Sequence, residues 1–122
     1  HFKNNISLLL RKKAKRLAYN NLKQAESLMK LNKTSEFYDE LTNALQKYIS
    51  NRFSIPMSEF KIEQVQDKLQ EQGIAKELIT EFSDVMSQCE FVRFAPGDPH
   101  ENMENLLRRA SEIITKIENS LK

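Results

Sequence analysis

Cys89, Glu90, Arg93 and His100 place a thiol, a carboxylate, a guanidinium and an imidazole in one short stretch, CEFVRFAPGDPH. A thiol beside an imidazole suggests nucleophilic catalysis, which needs an accessible thiolate and a third group to orient the base. The sequence supplies no such group. Cys89 continues the apolar series Phe82, Val85, Met86, where a free cysteine behaves as a small hydrophobe. His100 falls in the first turn of the last expected helix, an ordinary surface position. No catalytic residue is expected, and the chain reads as a non-enzyme. Glu90 and Arg93 are three residues apart and can meet on one helical turn. Phe94 folds back beyond them, and Pro96 forbids further helix. Glu90, Arg93, Phe94 and Pro96 therefore read as a structural tether, with Arg52 and Arg16 as further partners for Glu90.

Other site chemistries find less material. Two histidines and one cysteine cannot complete a closed zinc set. Carboxylates such as Glu36 and Glu40 are spread at helical spacings rather than clustered around a glycine as in a calcium loop. The two glycines form no phosphate cradle. No metal, cofactor or small-molecule substrate is expected. A lone cysteine makes no internal disulfide, which fits a reducing compartment.

Charge is the stronger signal. Up to Lys33 the chain carries nine basic residues against Glu26 alone, and the remainder carries ten basic against sixteen acidic. The basic cluster Arg11, Lys12, Lys13, Lys15 and Arg16 suits a membrane surface, a protein partner or nucleic acid. Aromatic interleaving, which nucleic-acid binding would favour, is confined to Tyr19. A plain solvated helix face is the bland alternative. Positive residues also collect at the cytoplasmic flank of membrane spans, and NNISLLLRKKAKR has that form.

The elements that must position these residues follow from period. Leu10, Ala14, Leu17, Ala18, Leu22, Ala25, Leu28 and Met29 mark one face of a long first helix. Thr34 or Ser35 can cap a second helix carrying Phe37, Tyr38, Leu41, Ala44, Leu45, Tyr48 and Ile49, stopped before Pro56. A third turns Ile62, Val65 and Leu69 inward and closes at Gly73. A fourth runs from Ile74 to Cys89. The fifth is expected to start with Asp98 as cap, Pro99 in its first position and Glu101 in its third, and carries Met103 to Leu121. The expected fold is all-α, a compact bundle of about five amphipathic helices arranged as antiparallel hairpins, with a tetratricopeptide-like stack geometrically open. Residues 1–10 read as a membrane-proximal segment and 11–122 as a single helical domain.

The blocks LRKKAKRLAYNNLKQAESLM, EFYDELTNALQKYISNRFSIPMSEF, LQEQGI and CEFVRFAPG resemble, in that order, the C-terminal cytoplasmic domain of the BatD oxygen-tolerance (aerotolerance) family, best matched in Bacteroides-type proteins. The resemblance covers about Leu10 to Lys122. It implies the tail of a single-span protein at the cytoplasmic face of the bacterial inner membrane, below β-rich periplasmic domains. It implies a role in stress resistance and partners among von Willebrand factor type A domain proteins, tetratricopeptide proteins and a MoxR-type AAA+ ATPase. It carries over no catalytic residues. The function expected is a non-enzymatic interaction domain linking an inner-membrane assembly to cytoplasmic partners. The alternative is a nucleic-acid-binding helical domain that uses the basic first helix.

Overall fold

A computed structural model describes residues 2–92 and 102–122, with side chains from residue 5 onward. Five helices follow in chain order: α1 (Phe2–Lys30), α2 (Thr34–Phe53), α3 (Ile62–Glu71), α4 (Lys76–Val92) and α5 (Met103–Ser120), with a 3-10 turn at Met57–Glu59 before α3. The described residues contain no strand.

α1 and α2 form an antiparallel hairpin, the most extensive helix pair among the described residues. α1 buries Ala14, Ala18, Leu22 and Ala25, spaced by four, four and three. Interaxial distance follows the side chains at the contact, so three alanines draw α2 close. α2 returns the bulk, with Phe37, Tyr38, Leu41, Leu45, Tyr48 and Ile49 fully or almost fully buried. The Phe37 and Tyr38 rings meet edge to face with centroids 5.0 Å apart. Leu10, expected on the buried face, is exposed. α2 has ended opposite it, and Ser54 there meets Ser7 and Arg11.

Three helices end in the same way, with one residue in left-handed conformation and paired backbone bonds that satisfy the last carbonyls. After α1 the residue is Asn32 (φ 59°), with the Lys33 amide donating to Leu28 O and the Asn32 amide to Met29 O. After α2 it is Ser54 (φ 57°), with Ile55 N–H donating to Ser50 O at 3.0 Å. After α3 it is Gly73 (φ 82°), the position the sequence marked. The tight turn at Asn32 also corrects the expected cap of α2. Thr34 is already helical and Lys33 precedes it with no side-chain cap bond, because the turn brings the chain into helix one residue early.

α3 packs on α4, and Gln66 Nε2 donates to Ser83 Oγ across them at 2.7 Å. α4 buries Ile79, Phe82, Val85 and Cys89, and α5 buries Met103, Leu106, Ala110, Ile113, Ile114 and Ile117. α5 touches α1, α2 and α4, so the helices close into a bundle around one core. A repeat stack would instead keep each hairpin to its neighbours. The expected start of α5 at Asp98, Pro99 and Glu101 lies outside the described residues. The described helix begins at Met103, and Asn102 before it makes no side-chain cap bond.

Candidate interaction site

The N-terminal half of α1 stands out in both charge and apolar exposure. Arg11, Lys12, Lys13, Lys15 and Arg16 are all exposed. Ala14 within the run faces the core, so the cations spread over the helix's outer surface. None of the five joins an ion pair among the described residues. Arg11 Nη2 donates to Ser54 Oγ at 3.0 Å, which orients that guanidinium without neutralising it. Directly before them Ile6, Leu8, Leu9 and Leu10 are 38–52% exposed. Successive residues step by about 100° around a helix, so these turns are apolar on more than one side. The result is one continuous helix with an exposed apolar turn followed by a cationic collar.

A second surface lies between α2, α3 and α4. A groove of about 600 Å³ is lined by Phe60, Ile62, Met86 and Phe91, with Gln46 and Glu90 among its polar wall. Phe91 is 68% exposed, the most exposed large apolar side chain described. Glu90, expected in a tether, is exposed on this wall. Arg93, Phe94 and Pro96, its companions in that expectation, lie outside the described residues, as does His100. Cys89 is fully buried in the core cluster.

Arg52 is not a partner of Glu90. It closes α2 against the end of α5, where its Nε donates to Glu118 Oε2 at 3.0 Å. The Tyr48 hydroxyl donates to the same oxygen at 2.5 Å. Burial, then the hydrogen bond to Glu118, pushes the Tyr48 phenol far above its ordinary range, so it remains a donor. Arg109 on α5 supplies a second tether, donating from Nε and Nη2 to the two oxygens of Glu81 at 2.9 and 2.7 Å. Its Nη2 also reaches Asp84 Oδ2 at 2.6 Å. Hydrogen bonds from Arg109 hold both carboxyls below the usual carboxylate range. Sequence reasoning missed both clusters, because their partners are 25 to 70 residues apart. The available signal was a polar residue at the edge of an apolar face, Arg109 beside Ala110 and Glu118 beside Ile117.

Among the described residues, no group of three or more His, Cys, Asp or Glu is placed to hold a metal ion. No helix there is long and apolar enough to cross a membrane. Comparison with protein-family models, curated proteins and solved structures finds no match to this chain.

Proposed function

We propose that this chain is a non-catalytic interaction domain held at an anionic membrane surface by the N-terminal half of α1. The observation that carries the reading is the apolar set Ile6, Leu8, Leu9 and Leu10, exposed on the same helix as the exposed, unneutralised Arg11, Lys12, Lys13, Lys15 and Arg16. An apolar turn followed by a cationic collar suits the boundary between acyl chains and anionic headgroups. A nucleic-acid interface would draw on rings beside the cations. Tyr19 is instead half-buried, with its hydroxyl engaged by Thr115.

On the same proposal the chain is the cytoplasmic tail of a BatD-like inner-membrane protein acting in oxygen tolerance. Its partners would then be type A domain proteins, tetratricopeptide proteins or a MoxR-type AAA+ ATPase. Support comes from the sequence blocks quoted above. The Phe37, Tyr38, Ala44, Leu45 and Tyr48 block lies wholly in the core, so the resemblance concerns residues that determine a fold.

Two measurements test the proposal. The chain should co-sediment with phosphatidylglycerol-containing vesicles at low salt and not with phosphatidylcholine vesicles. Replacing the five cations by Gln should weaken partitioning by about 100-fold or more, since each is worth about 1 kcal/mol near such a surface. Equal binding to both vesicles, or tighter binding to a short DNA duplex, would overturn the membrane reading. Affinity capture from a membrane fraction should recover an AAA+ ATPase or a type A domain protein. Recovery of neither would overturn the partner assignment.

A further inference from the structure

A crease between α1 and α2 holds a cavity of about 350 Å³. Its floor includes Ala14 and Ala18, whose single methyl groups leave the space open. Met57, just beyond α2, also lines it. Three polar groups converge on it: Asn21 from α1, and Lys47 and Asn51 from α2.

These three groups are unspent. Asn21 and Asn51 are half-buried in helix interiors, where asparagine is a poor helix former, and neither side chain makes a hydrogen bond among the described residues. Lys47 is exposed and makes no ion pair among the described residues. No polar atom of Asn21 or Asn51 is sealed from solvent and Lys47 is exposed, so a ligand can reach them. Their neighbours on the wall are already engaged: Ser50 Oγ donates to Ile55 O, and the Tyr48 hydroxyl is spent on Glu118. Among the described residues, no carboxylate lines the cavity.

We infer that this crease binds an extended acidic peptide segment. A primary amide both donates and accepts, so Asn21 and Asn51 can pair with the N–H and C=O of a peptide backbone. Lys47 takes the carboxylate of an Asp, a Glu or a chain terminus. A small aliphatic side chain fits the alanine floor beside Met57. A few convergent polar groups over an apolar base is the usual make-up of a specific site. Charge complementarity selects the acidic partner, since among the described residues the charged side chain in the cavity wall is a lysine. The inference rests on the interaction-domain reading and adds the chemistry of the partner. It is independent of the membrane contact.

The test uses the whole chain without vesicles. A fluorescein-labelled decapeptide of alternating Ala and Glu with a free C-terminal carboxylate is titrated by anisotropy, with the Ala-Gln amide and Ala-Lys peptides as comparisons. Only the acidic peptide should bind. Lys47→Ala and Asn51→Ala should each weaken it about tenfold, the loss of one hydrogen bond to or beside a charge. Lys61→Ala, an exposed lysine elsewhere, should leave it unchanged. Replacing Lys12, Lys15 and Arg16 by Gln should retain most of the binding. Amide shifts of the wild-type chain should map to residues 14–21, 47–51 and 57. No binding at millimolar peptide, equal binding of the Gln peptide, indifference to Lys47→Ala and Asn51→Ala, or shifts confined to residues 11–16 would each overturn the inference. Any of these failures would leave the vesicle result standing.

Discussion

Glu118 Oε2 accepts from the hydroxyl of Tyr48 and from Arg52 Nε, joining two residues of α2 to the last turn of α5. Tyr48 is 1% exposed, so its hydroxyl has little water to fall back on. A buried donor left without an acceptor costs about 1–3 kcal/mol, whereas removing donor and acceptor together costs less. Tyr48→Phe and Glu118→Met should therefore each lower the urea midpoint, and the double variant should lose less than their sum. A coupling of about 1 kcal/mol or more in the double-mutant cycle is expected, against additivity within about 0.3–0.5 kcal/mol for independent sites. Cys89 and Arg52 show how far residue type alone could be read. The apolar period foretold the burial of Cys89, since a stripe that includes Phe82 and Val85 leaves its fourth member facing inward. The partner of Arg52 could not be foretold, because Glu118 lies 66 residues away and reaches it only once α5 has packed.

Helix ends and helix clamps decide how the elements stay joined. Gly73 has φ 82°, and a Cβ built on it would meet nothing within 4 Å. Gly73→Ala should thus cost only the backbone penalty of a left-handed L-residue, about 1–2 kcal/mol, with no repacking visible in a crystal structure of the variant. The clamp of Arg109 on Glu81 and Asp84 joins α5 to α4. Both carboxyls titrate lower in the folded chain than in the unfolded one. Their stabilisation is then present above the unfolded value of about pH 4 and is lost as pH falls through the folded values. Arg109→Gln should lower the urea midpoint at about pH 7 and change it little at about pH 2. Both carboxylates are substantially exposed, at 38% and 50%, so solvent screening keeps the neutral-pH effect small. A pH-independent effect would show that Arg109 acts through packing alone.

At the scale of the whole molecule, the core and the exposed apolar turns early in α1 are separate. The core runs from Ala14 through Ile117, while Ile6, Leu8, Leu9 and Leu10 stay exposed. A chain beginning at residue 10 should keep its urea stability within about 1 kcal/mol, because little apolar area is buried before that point. The same truncation should markedly reduce partitioning onto phosphatidylglycerol vesicles. Loss of stability together with loss of binding would mean that the first turns belong to the bundle.

The sequence by itself determined that the chain is helical, which faces are apolar, that Gly73 ends a helix, and that charge is segregated toward the first helix. These properties are local. They follow from a period of 3.6 residues, from the cheapness of positive φ at glycine, and from the order of lysines and arginines along the chain. Only the tertiary structure decided that α5 closes onto α1 and α2, that Arg52 belongs to Glu118 and Arg109 to Glu81 and Asp84, and that Asn21, Lys47 and Asn51 share one cavity. Those outcomes depend on which helix lies against which. Packing selects that arrangement through the fit of side chains from distant segments, and amphipathic period alone is indifferent to it.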